Sequence, residues 1–222
     1  MDFISNLSKV FQEHANVQNE LPMQAYMKHK FEFLGIKSPV RKSLLKNVIN
    51  EHKEEVSTNC RMIALQLYDL PEREFHYSAM EIIAKFLKNR YEIEDNILIE
   101  KMICTHSHWD TVDFITKKIL GNYLLCHLEK RDQIITSFSK SDNMWLNRSA
   151  ILFQLGYKEK TNSTILFNLC KTHAVSNEFF IRKAIGWALR EYAKVDPVSV
   201  KEFVKTHELS NLSQKEALKH LN

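Results

Sequence analysis

Two residues near the middle of the chain have the types and spacing to act together. Trp109 and Asp113 lie in Ser107-His108-Trp109-Asp110-Thr111-Val112-Asp113 and, four apart, share one face of any helix that runs through them. An aromatic plane beside a carboxylate, one turn inside a helix, is out of place on a core stripe. Such a carboxylate faces either solvent or something cationic. The cationic candidates come from a repeat. Trp145-Leu146-Asn147-Arg148-Ser149-Ala150 and Phe180-Ile181-Arg182-Lys183-Ala184-Ile185 share an aromatic, an aliphatic, two polar or basic positions and then small or apolar ones, at an offset of 35 residues. Tyr157 and Tyr192 keep that offset, and Asp113 stands the same distance before Arg148. Asp113, Arg148 and Lys183 therefore fall at equivalent positions of three successive units. Trp109 lies one turn before Asp113, and Trp187 one turn after Lys183.

The elements that must position these residues are helices. Ser107 with Asp110 three residues later reads as an N-terminal cap for the helix carrying Trp109 and Asp113. Ser141-Asp142 caps a helix over Met144 to Leu155, and Ser176 one over Phe179 to Ala193; Asp196-Pro197 breaks the latter and restarts another. Upstream, Phe3 to Ala15 has helical spacing, Asn16 to Leu21 reads as a polar loop, and Pro22 opens a helix through Phe31 and Leu34 that Gly35 ends. Ser38-Pro39 starts the next, with further helices over Asn59 to Asp69, Glu72 to Lys88 and Ile93 to Cys104. Four Gly and four Pro in 222 residues leave few turn formers for a strand-rich fold. The expectation is all-α: twelve to fourteen helices in one domain, residues 1–222, stacked as a right-handed solenoid of HEAT-like or armadillo-like antiparallel pairs. In such an array equivalent positions of successive inner helices line a concave surface.

Composition narrows the function classes. A formal net charge of +4 is weakly basic, so any nucleic-acid surface must come from clustering of cations. Cys60, Cys104, Cys126 and Cys170 are far apart, form no C-x-x-C pair and read as small core residues of a reducing compartment. The N-terminal residues lack a signal-peptide pattern, and no apolar run is long enough to span a membrane, so a cytoplasmic protein is expected. His106 and His108, two apart, do not share a helix face, and no third ligand stands near them in sequence; no metal and no cofactor are expected. There is no Gly-rich phosphate loop, Ser or Cys nucleophile motif or dinucleotide fingerprint. Bland roles stay open for each candidate. The tryptophans could be core, Asp110 a cap, Asp113 a dipole-stabilising acid, and Arg148 and Lys183 solvated charges or partners of Asp113. Arg41-Lys42 to Lys46 reads as a solvated face, whereas Arg182-Lys183, flanking Trp187, is better placed for phosphate.

Several segments together resemble the AlkD-type DNA glycosylases. They are Trp109-Asp110-Thr111-Val112-Asp113, Asp142-Asn143-Met144-Trp145-Leu146 with Arg148, and Phe179-Phe180-Ile181 through Lys183-Ala184-Ile185-Gly186-Trp187. Phe33-Leu34-Gly35-Ile36, Leu70-Pro71-Glu72-Arg73-Glu74-Phe75 and Leu189-Arg190-Glu191-Tyr192-Ala193-Lys194 belong to the same resemblance. It implies a HEAT-like solenoid with a concave DNA-binding face. It also implies excision of cationic N3- and N7-alkylated purines from duplex DNA without flipping the base into a pocket. By the same resemblance Asp113 is the catalytic carboxylate, and Trp109 and Trp187 are aromatic walls around the lesion's deoxyribose. Arg148 contacts the lesion-strand backbone, with Arg190 and Tyr26 as further cleft residues beside Arg182 and Lys183. His108 departs from the pattern, standing where one branch has a second Trp. The expected partner is duplex DNA, the expected form a monomer without an obligate protein partner, nucleoid-associated when bound. The alternative is a non-catalytic helical-repeat scaffold for nucleic acid or protein.

Overall fold

A computed structural model describes residues 1–221. Within them the chain forms fourteen α-helices and, outside these, one isolated β-bridge between Glu32 and Glu72. The helices gather into two compact units, one over Met1–Tyr91 and one from Glu92 onward. The all-α, repeat-built fold read from the sequence is the fold observed.

The N-terminal unit holds α1 (Phe3–Glu13), α2 (Val17–Tyr26), α3 (Ser38–Glu51), α4 (Lys53–Tyr68) and α5 (Arg73–Phe86). In α1 the Asp2 carboxylate caps the Ser5 amide, and Phe3, Leu7 and Phe11 form a fully buried i, i+4 stripe. Two expectations fail here. Residues 16–21 are not a loop: the Asn16 side chain accepts from the Gln18 and Asn19 amides and starts α2, a helix with no buried residue and hence no apolar stripe to betray it. Nor does a helix run from Pro22 through Leu34. It stops at Tyr26, and Lys28 and His29 take left-handed φ values of 55° and 54°. The chain beyond is held extended because the Glu74 carboxylate accepts the Leu34 and Ile36 amides at 3.1 and 3.0 Å. Gly35, at φ +76°, is required there, since a Cβ would lie 2.1 Å from the Asn16 carbonyl oxygen.

The second unit holds α6 (Asp95–Cys104), α7 (Trp109–Ile115), a π-helical turn (Thr116–Leu120) and α8 (Gly121–Cys126). These are followed by α9 (Leu128–Lys140), α10 (Met144–Leu152), a 3-10 turn (Lys158–Lys160) and α11 (Ser163–Thr172). The unit closes with α12 (Phe179–Tyr192), α13 (Pro197–Thr206) and α14 (Asn211–Ala217). Each of α7, α10, α12 and α14 packs against the helix before it in sequence, α6, α9, α11 and α13 respectively. The four also pack in series, α10 between α7 and α12, and α12 between α10 and α14. Stacking is close where side chains are absent: a Cβ on Gly186 of α12 would meet Glu216 Cβ of α14 at 2.4 Å.

Three caps differ from expectation. His108, not Ser107, caps α7; Ser107 Oγ donates back to the Ile103 carbonyl at 2.6 Å and closes α6 instead. Asn143 caps α10 through the Trp145 amide, while Ser141 Oγ accepts from the Asn143 amide one step earlier. Glu178 is the N-cap position of α12 and makes no side-chain cap bond; Ser176 Oγ takes the Glu178 amide. All four cysteines are free thiols, but Cys104 and Cys126 are exposed, which corrects their assignment to the core.

Candidate functional site

Asp113 lies on α7 with its carboxylate only 16% exposed, and Arg148 of α10 grips it with both arms of its fork. Nε donates to Oδ1 at 2.7 Å and Nη2 to Oδ2 at 2.9 Å, the bidentate geometry for which a planar guanidinium is suited. The third arm, Nη1, donates to the Phe180 carbonyl of α12. Thus the offset of 35 residues that aligned Asp113 with Arg148 corresponds to a direct contact between neighbouring layers. Burial pushes the Asp113 carboxyl above its ordinary value; the Arg148 hydrogen bonds and charge oppose that rise, and the Asp110 charge adds to it. Two of the five guanidinium N–H groups remain beyond these three bonds, but Arg148 is itself buried.

His108, 5% exposed, packs among the aromatic rings at the starts of α7, α10 and α12. Its Nδ1 accepts the Trp109 amide at 2.9 Å, so in the neutral ring the proton sits on Nε2. The ring lies 5.9 Å from both Trp145 and Phe180, which are 5.0 Å apart, and edge-on to Trp109 at 6.2 Å. One side chain therefore starts α7 and packs against the first turns of α10 and α12. Sequence reasoning left His108 unexplained because His is not among the favoured caps. Its signal lay in the aromatics heading each repeat, Trp109, Trp145 and Phe180, with which it packs.

The remaining candidates divide. Trp187 is half-buried against the core shared by α10 to α14, so α7 and α12, both packed on α10, carry the two tryptophans. Lys183 does not reach Asp113. Its Nζ pairs with Glu216 of α14 at 2.7 Å, and Arg190 pairs with the same carboxylate at 2.6 Å. Both cations hold the Glu216 carboxyl below its usual range, the Lys183 hydrogen bond most strongly. Glu216 was absent from the sequence reading. Arg182 donates to the Ser176 carbonyl and the Asn177 side-chain oxygen, both on the segment leading into its own helix. Tyr26 is exposed at the end of α2 in the N-terminal unit, and Trp145 belongs to the His108 cluster.

Comparison with known proteins agrees with the fold. A family model described as DNA alkylation repair enzyme matches residues 7–221. A solved structure of a predicted DNA alkylation repair enzyme from Enterococcus faecalis is 34% identical, with a TM-score of 0.84 over 93% of this chain and 96% of that one. The crystal structure of smu.31 from Streptococcus mutans UA159 is 18% identical, with a TM-score of 0.60 over 82% of this chain and 98% of that one; it supports the fold alone. Among curated proteins none matches.

Proposed function

The chain belongs to the DNA alkylation repair enzyme family, and we propose that within it the protein is a monofunctional glycosylase that removes N7- and N3-alkylated purines from duplex DNA. One observation carries this reading: a largely buried carboxylate, Asp113, is fixed in orientation by a bidentate Arg148, one turn after Trp109 on the same helix.

A purine alkylated at N7 or N3 already carries positive charge, so it needs no general acid to leave. The N-glycosidic bond breaks with its electron pair passing to the purine, which departs neutral. The deoxyribose gains oxocarbenium character, as in glycoside cleavage. Water adds at C1′ and its proton passes to the carboxylate or to bulk solvent. Asp113 supplies the negative charge that stabilises the sugar and the acceptor that orients the water. Arg148 keeps that carboxylate aimed, so little reorganisation is needed when charge develops. The Trp109 and Trp187 faces attract the cationic base or sugar, each by about 0.5–2 kcal/mol on the scale of cation–π pairs. No lysine acts as a nucleophile in this scheme, and the strand is not cut. The reaction needs one chain, duplex DNA and water, with no base turned out into a pocket.

The test is release of 7-methylguanine from a methylated duplex by the wild type and by Asp113→Asn. Release by the wild type alone supports the reading. Equal release by both removes Asp113 from the chemistry, and no release by either leaves a repair-family scaffold without this catalysis.

A further inference from the structure

The cations expected to meet phosphate are mostly occupied. Arg148 is committed to Asp113, and Lys183 and Arg190 to Glu216. A different set of cations in the same unit is not. Lys117 and Lys118 of the π-helical turn and Lys158 and Lys160 of the 3-10 turn line a cleft of about 480 Å³, with Asn122, Tyr157 and Glu159. None of the four lysines makes an ion pair among the described residues, and Glu159 is the one carboxylate in the lining.

The backbone around the cleft is built, not loose. The π-helical turn interrupts the run from α7 to α8. Opposite it, Gly156 at φ +90° and Lys158 at φ +54° turn the chain sharply after α10. The Lys117 stem crosses Gly156, whose absent Cβ would lie 3.5 Å from Lys117 Cε. The Tyr157 hydroxyl ties this loop to α8 by donating to the Gly121 carbonyl. Lys158 is a non-glycine residue held in the left-handed region, a conformation with a backbone cost. Four ammonium groups brought together with one carboxylate repel one another unless polyvalent negative charge is added. Lys117 stands one turn after Asp113, about 6 Å along the helical run, and both side chains turn toward α10 and the loop that follows it, Asp113 to Arg148 and Lys117 to Gly156.

We infer that this lysine cleft is a binding site for the phosphate backbone of duplex DNA, the main electrostatic anchor that presents a strand to Asp113. The inference rests on the proposed action on DNA but not on glycosylase chemistry, so the two fail separately. The experiment measures binding of an undamaged duplex across a salt series. It compares the full-length wild type, a cleft variant carrying Lys117→Gln, Lys118→Gln, Lys158→Gln and Lys160→Gln, and a variant of matched charge. The matched variant carries Lys101→Gln, Lys140→Gln, Lys171→Gln and Lys201→Gln, exposed positions on α6, α9, α11 and α13. With about 0.9 counterions released per phosphate contact, loss of four contacts flattens the log–log salt dependence by about 3 to 4. The expected result is that flattening in the cleft variant and little change in the matched one. A slope equal to wild type in the cleft variant, or equal flattening in both variants, overturns the inference. Absence of 7-methylguanine release by the wild type overturns the glycosylase reading and leaves the slope comparison intact.

Discussion

Two groups of cations in the C-terminal unit differ in what surrounds them. Along α7, α10, α12 and α14, Arg148, Lys183 and Arg190 are each matched to a carboxylate of the neighbouring layer. In the lysine cleft four cations share one acidic neighbour. Cations that look alike in sequence sit in opposite settings. The buried Arg148 fixes the position of the Asp113 carboxylate, because desolvated charge is tolerated only when compensated, while the partly exposed Lys183 and Arg190 join α12 to α14 through Glu216. Exposed unmatched charge keeps its long-range attraction for a polyanion. Sign and count of charge therefore say little about where phosphate goes; the pairing state says more.

The largest effect that can break this contrast concerns Asp113. Asp113→Asn is expected to lower the single-turnover excision rate by about 100- to 10,000-fold while leaving duplex affinity near wild type. Loss of binding in place of rate would put Asp113 in the binding surface. Next is Arg148→Ala, which leaves a buried carboxylate without its partner and an acceptor at Phe180 without its donor. Denaturant unfolding should show a loss of about 3–5 kcal/mol, against under about 1 kcal/mol for neutralising an exposed cleft lysine such as Lys118. Similar small losses for both would dissolve the distinction between paired and unpaired cations.

Glu216→Gln sharpens the contrast from the other side. Removing that charge frees Lys183 and Arg190, so duplex affinity should rise and the salt dependence steepen by up to about 2. A fall in affinity would mean that the paired state is the one that meets DNA. Acidity gives a further check. Because burial lifts the Asp113 carboxyl above its ordinary value, the ionised form that the proposed chemistry uses is lost on acidification at a pH higher than for a free aspartate. The acid limb of excision measured at saturating duplex should lie above pH 3.8, and a limb at or below that value would contradict the burial account. The smallest effect concerns the α7 cap. His108→Asn keeps a cap acceptor and loses the ring packing, whereas His108→Ala loses both, so the alanine variant should be less stable by about 0.5–2 kcal/mol.

What the sequence disclosed followed what repeats in it. Asp113 and Arg148 were aligned by a 35-residue offset because the two layers in contact carry the pattern with little distortion. The same step from Lys183 lands on Leu218, whereas the observed partner is Glu216, 33 residues on. Layer contacts at 33 residues, Thr116 to Ser149, and at 36, Gly121 to Tyr157, show that contacting residues depart from the 35-residue offset in both directions. A strict period could not find Glu216. Caps were hidden for a different reason. Ser107, Ser141 and Ser176 are good caps by propensity, yet each hydroxyl is used one step outside its helix. The segment after Pro22 failed because Glu74, some forty residues away in sequence, captures its amides, a tertiary bond with no local signature.

Arg148 also bears on how the unit comes apart. Stacked repeats unfold largely through nearest-neighbour terms, so layers open one by one unless something spans them. Arg148 sits in α10 and bonds Asp113 of α7 and the Phe180 carbonyl of α12, one side chain clasping three consecutive layers. Opening α7 or α12 alone would strand buried charge or a buried acceptor. That coupling predicts that the three helices open as one unit, and amide hydrogen exchange should find their protons exchanging together and more slowly than those of α13.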